Sequence, residues 1–237
     1  MSEFDTPSPG AAAPRPTTRL VLDPAERRVI GTLIEKGLTN PQYYPMTGNL
    51  LTSGCNQKNN REPLTYYSDD EVEAICRRLQ ERGLVAHLFP SSGRVGRWRQ
   101  ELGRVYGLNA VEQSILGELL LRGPQTEGEL RQRASRMRDI PSLEELDKVL
   151  AKLMSGPPAY VIRLTPPGIS RGVRYTHNCY PDDELARVLE AEKSGEHAAP
   201  VAHRESSRAP EPSVVAELLA RIEALEQRVN ALESRSS

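Results

Sequence analysis

Glu26-Arg-Arg-Val-Ile-Gly-Thr-Leu-Ile-Glu-Lys-Gly37 and Glu112-Gln-Ser-Ile-Leu-Gly-Glu-Leu-Leu-Leu-Arg-Gly123 align without a gap, offset by 86 residues. Gly31 matches Gly117, Leu33 matches Leu119 and Lys36 matches Arg122. Val29, Ile30, Leu33 and Ile34 recur at helical spacing and form one apolar face. A cation and then a glycine close each segment, as expected of a helix end where left-handed backbone is needed. An internal duplication is therefore the first fact of the fold.

The repeat continues downstream. Ser68-Asp-Asp-Glu71 and Ser142-Leu-Glu-Glu145 both read as capping boxes, in which side chains at each end satisfy the orphan N–H groups of a helix start. Each opens a helix with matching apolar positions: Val72, Ile75, Cys76 and Leu79 against Leu146, Val149, Leu150 and Leu153. Strand-like runs follow, Leu84–Phe89 and Ala159–Leu164, then a turn and a second run with Arg97-Trp98 or Arg174-Tyr175. Between the first and last helix of each copy lies another. It opens at the Thr126-Glu-Gly-Glu129 box and runs through Leu130, Ala134 and Met137; its counterpart is Thr47 to Cys55, with Leu50 and Leu51 as the apolar pair. Three helices and a hairpin define a winged helix. The expected fold is mainly α with small β-hairpins, two winged helices at 19–107 and 108–185. Tail 1–18 is poor in large apolar side chains and is expected to be disordered. Residues 186–212 are expected to hold a helix end and a flexible linker.

Gly37-Leu-Thr-Asn-Pro-Gln-Tyr-Tyr-Pro45, Cys55-Asn-Gln-Lys-Asn-Asn-Arg-Glu-Pro63 and Gly123-Pro-Gln-Thr-Glu-Gly-Glu-Leu130 resemble the signature of the YceH family of bacterial proteins. The resemblance spans about residues 19–185. It implies tandem winged helices and no established activity.

A third element lies at the C-terminus. Val215, Leu218, Ile222, Leu225, Val229 and Leu232 alternate steps of three and four. The a positions are β-branched and the d positions are leucine, which favours a parallel two-stranded coiled coil. Arg221 would face Glu226 of the partner, and Arg228 would face Glu233. Residues 213–235 are therefore expected to make a homodimer. The alternative is one amphipathic helix folded back on its own body.

Composition narrows the function. The net charge is −1, with 13 Lys/Arg against 10 Asp/Glu over 19–109 and 12 against 13 over 110–193, so any basic surface must be local. The acidic N-terminus lacks the basic start and apolar core of an export signal, and no apolar run approaches a membrane span. Three widely spaced cysteines suggest a reducing cytoplasm. Phosphate loops, nucleophile elbows and zinc motifs are not found, so no enzyme, cofactor or metal is expected. Gly93-Arg-Val-Gly96 reads as a hairpin turn rather than a nucleotide clamp.

Three groups are candidates for nucleic-acid contact. Arg94, Arg97, Arg99 and Arg104 cluster around Trp98 at the first hairpin and suit phosphates, unless Trp98 packs inward and the arginines are merely solvated. Lys58 and Arg61 lie in the Asn56–Arg61 run, whose amides and cations suit bases and phosphates, unless the loop caps itself. Arg131 and Arg133, with Arg136 and Arg138, form the third group; such runs are often only solvated faces. Against DNA stand the acids at the third-helix N-termini: Asp69, Asp70, Glu71 and Glu73, then Glu144, Glu145 and Asp147. A regulatory DNA-binding role is placed ahead of a protein partner. The other reading is an adaptor in a larger, chromosome-organising type of complex, a role this fold permits by analogy.

Overall fold

The computed structural model describes residues 16–90, 95–169 and 171–194. All of them fall in one compact unit, Met1–Pro200. The expected tail before residue 16 and the heptads at 213–235 lie outside the described residues.

The described chain is a mixed, mainly helical α+β structure with small antiparallel sheets. The first copy contains α1 (Pro24–Thr39), a 3-10 turn (Pro41–Tyr43), α2 (Gly48–Cys55), α3 (Asp69–Glu81), β1 (Val85–Leu88) and β2 (Arg97–Gln100). Then come α4 (Leu102–Tyr106), α5 (Ala110–Arg122), β3 (Gln125–Thr126), α6 (Glu127–Ala134), α7 (Leu143–Ser155), β4 (Val161–Arg163), β5 (Arg174–His177) and α8 (Asp182–Ser194). No described helix is long and apolar enough to cross a membrane.

Caps fix the helix starts. The Ser68/Glu71 and Thr126/Glu129 boxes form reciprocally. So do Asp23/Glu26 on α1 and Asn109/Glu112 on α5, which occupy the same place in the two copies. Such caps contribute ~0.5–2 kcal/mol each. At Ser142 only half the expected box is made: its side chain accepts from the Glu145 N–H, while the Glu145 carboxylate turns to Lys148 at 2.5 Å.

Each copy has its own sheet. β1 pairs with β2, and the other sheet runs β3-β5-β4. The sequence pattern does not show β3. Its counterpart in the first copy is a single bridge, Met46 to Trp98, placed as Gln125 is placed against Tyr175. Both units therefore put a short extended segment between their first two helices and beside the second hairpin strand.

One apolar core joins the copies, with Ile30, Leu33 and Ile34 of α1 buried alongside Ile115, Leu116 and Leu119 of α5. The aligned glycines are the reason the two helices approach so closely. A Cβ on Gly31 would lie 2.8 Å from Leu121 Cγ, and one on Gly117 would lie 2.8 Å from Ile34 Cγ2. Leu50 departs from expectation: Leu51 is buried, but Leu50 is 44% exposed. Met137 is buried just beyond α6, in the turn rather than the helix. The first and last described segments come together. Leu22 N–H donates to the Cys179 carbonyl at 2.9 Å. Arg27 grips Glu184 with two hydrogen bonds of 2.5 and 3.0 Å, which tie α8 to α1, and α8 runs past residue 185 to Ser194.

Candidate binding surface

The first hairpin turns its tryptophan inward. Trp98 is 1% exposed; its backbone exchanges hydrogen bonds of 2.7 and 3.0 Å with Met46. Its indole stacks on the His87 ring, centroids 4.0 Å apart. A Cβ on Gly96 would lie 1.9 Å from His87 Nε2, so only glycine lets the imidazole lie there. Arg97 donates to the Pro45 carbonyl at 3.0 Å. Arg99 and Arg104 share Glu101, at 2.8 and 2.6 Å. Arg94 lies outside the described residues. Among the described residues the hairpin exposes Phe89 at 68% and Val95 at 62% together with the charged Arg99.

The Asn56–Arg61 loop is occupied with its own neighbours. Asn56 donates to the Tyr67 carbonyl at 2.7 Å and accepts from the Tyr67 N–H at 2.8 Å. Arg61 is buried, donating to the Gly54 carbonyl at 3.0 Å and to Glu35 at 2.6 Å. Burial works to raise the Glu35 carboxyl. The Arg61 hydrogen bond and charge, with Lys36, outweigh it and hold the carboxyl below its ordinary range. Asn60 takes φ of 61°, and its side-chain oxygen accepts from Arg122 at 2.6 Å. Lys58 stays exposed and makes no ion pair or hydrogen bond among the described residues. Lys58 is the loop's solvent-facing cation.

The third group divides. Arg131 ties the turn after α6 by donating to the carbonyls of Ile140 and Pro141, at 3.0 and 2.6 Å. Arg133 donates to Gln125 at 2.8 Å and to Glu129 at 3.2 Å. Arg136 is exposed, and its guanidinium makes one hydrogen bond among the described residues, to the Arg133 carbonyl at 3.3 Å. Arg138 has no partner among the described residues.

Together, Arg122 from α5 and Gln132, Arg133 and Arg136 from α6 and its end line an open depression of about 470 Å³. Glu118 is nearly buried, its carboxylate 3.1 Å from Arg122 Nε. Burial raises the Glu118 carboxyl and lowers the Arg122 guanidinium; each partner works against its own shift. Sequence reasoning missed Arg122 and Gln132 here. Arg122 read as a last-turn cation, and only the approach of α5 to α6 brings it into this company.

The third helices meet solvent with acids. Asp69, Asp70 and Glu71 at α3, and Glu144, Glu145 and Asp147 at α7, are all exposed. Hydrogen bonds from Ser68 and from Ser142 lower the Glu71 and Glu144 carboxyls, keeping both ionised. Burial raises the Cys55 thiol to about 11 and the Cys179 thiol to about 12, and pushes His177 well below its ordinary value. Among the described residues no three His, Cys, Asp or Glu side chains gather as a metal ion would need.

Residues 22–168 match the family described as "Protein of unknown function, DUF480". The chain is 43% identical over 164 residues to a UPF0502 protein of Koribacter versatilis, covering 69% of this chain and 76% of that one. It is 38% identical over 219 residues to a UPF0502 protein of Aeromonas hydrophila, covering 90% and 99%. A UPF0502 protein of Geotalea daltonii is 46% identical over 145 residues, covering 61% and 66%. These relatives agree with the YceH-type signature.

Proposed function

We propose that this chain, which belongs to the DUF480 family of proteins of unknown function, is a non-catalytic adaptor. In this reading two winged helices in series dock a partner protein, and a parallel coiled coil over residues 213–235 joins two chains. The observation that carries it is the charge on the third helices. A DNA reader places the N-terminal turn of that helix in the major groove. Here both such turns, on α3 and α7, expose acids, which would repel phosphates.

The hairpin supports the same reading. Its described arginines, Arg97 and the exposed Arg99, are tied to oxygens of this chain, and two large apolar side chains, Phe89 and Val95, are exposed beside them, which suits a protein contact. The winged-helix assignment is supported by the short segment beside the hairpin in each unit, β3 in one and the Met46–Trp98 bridge in the other. Three free, buried thiols suit a reducing cytoplasm.

The test is capture of a stoichiometric partner by the tagged full chain. Asp70→Lys with Asp147→Lys should abolish capture without unfolding the protein, because both residues are exposed. Capture that survives this reversal contradicts the reading.

A regulatory DNA-binding role is the second reading. What favours it is that Lys58, Arg136 and Arg138 make no ion pair among the described residues. It predicts a mobility shift whose affinity falls steeply with salt.

A further inference from the structure

We infer that the depression lined by Arg122, Gln132, Arg133 and Arg136 binds an acidic peptide segment through its carboxylates. This rests on the protein-binding reading and names the chemistry of one partner segment. At about 470 Å³ the depression is in the size range of ligand sites. Its lining is three guanidinium groups and one amide, with no apolar side chain.

Charge selects the ligand. Arg122 is answered by Glu118 at 3.1 Å and Arg133 by Glu129 at 3.2 Å. Arg136 has only a carbonyl. Three cations against two carboxylates leave one uncompensated positive charge, which a single carboxylate matches. A phosphate monoester carries about 1.5–2 negative charges, and duplex DNA presents one charge every ~1.7 Å. Both exceed what this lining can neutralise.

Donors remain for a carboxylate. Arg122 supplies charge rather than a free donor: its Nε is buried 3.1 Å from Glu118 and it donates to Asn60 at 2.6 Å. The Gln132 amide and both terminal nitrogens of Arg136 make no hydrogen bond among the described residues. A guanidinium fork with both terminal nitrogens open is the geometry that grips a carboxylate at two points.

The experiment is fluorescence anisotropy of a fluorescein-labelled oligo-glutamate peptide titrated with the full chain at low salt. Saturable binding is expected. Arg136→Ala should weaken it about tenfold, the equivalent of one lost charge-assisted hydrogen bond. Arg138→Ala, an exposed cation two residues on that does not line the depression, should leave it unchanged. Arg136 is on the surface, so its loss should not unfold the chain; Arg136→Glu should abolish binding and provides a second variant. No saturable binding, or an equal loss in Arg138→Ala, overturns the proposal. So does a duplex oligonucleotide that binds in an Arg136-dependent way and displaces the peptide. Partner capture that ignores Arg136→Glu, with no peptide binding, removes this site and leaves the adaptor reading standing. Peptide binding with the expected variant pattern but no partner capture does the reverse.

Discussion

Gly31 and Gly117 meet where α1 crosses α5: a Cβ on Gly31 would stand 3.3 Å from the Gly117 carbonyl oxygen and 2.8 Å from Leu121 Cγ. The same repeat position in both copies thus forms the contact between the copies. Gly31→Val and Gly117→Val should each destabilise the protein by ~1–3 kcal/mol through overpacking. Denaturant unfolding measures this. A neutral Gly31→Val would mean that the two helices can move apart freely.

Arg61 has a fully buried side chain and holds Glu35 at 2.6 Å. Arg61→Ala would leave that carboxylate buried without its main partner, and should cost ~3–5 kcal/mol. A loss under about 1 kcal/mol, the range of an exposed pair, would contradict the structural role given to this loop.

Glu35 and Glu118 should respond to pH with opposite signs. The folded Glu35 carboxyl is held below its ordinary value of 4.5, so its contribution to stability is present above that value. It is lost as pH falls through the folded value. Glu118 is raised above 4.5 in the fold, so the folded state binds its proton more readily than the unfolded chain does. Its ionisation therefore costs stability as pH rises from 4.5 through the folded value. Glu118→Gln should gain stability over wild type at neutral pH, and that gain should shrink as pH falls toward 4.5. Thermal unfolding of both proteins across this range checks the sign; a gain that grows on acidification contradicts it.

Within the first hairpin, structural and surface roles should separate cleanly. Trp98→Ala removes a buried ring stacked on His87 and should cost ~3–5 kcal/mol. Arg99→Ala removes a half-exposed ion pair to Glu101 and should cost under about 1 kcal/mol. Equal losses in the two variants would place Trp98 outside the core.

What the sequence revealed follows from how local each signal is. The apolar spacing of Val29, Ile30, Leu33 and Ile34 and the Ser68 and Thr126 caps are written within one or two helical turns, and they mark elements that form. The Asp23-Pro-Ala-Glu26 and Asn109-Ala-Val-Glu112 caps carry the same kind of signal just ahead of the aligned segments. β3 left no pattern, because two residues cannot show alternation; the strand exists only through β5 beside it. Arg61 sits in a polar run of the kind that faces solvent, and only the approach of α1 and the end of α2 buries it. The arginine-lined depression draws on α5 and α6, so no single stretch of sequence announces it.

The most direct measurement of the central claim is a salt-titrated binding assay of the full chain on duplex DNA. If α3 and α7 present acids to a protein partner, wild type should show no saturable DNA binding even at low salt. Asp70→Lys with Asp147→Lys should then create binding where none existed. Saturable wild-type binding whose log affinity falls linearly with log salt, with a slope of about 0.9 per phosphate contacted, would contradict the adaptor account and establish the DNA reading in its place.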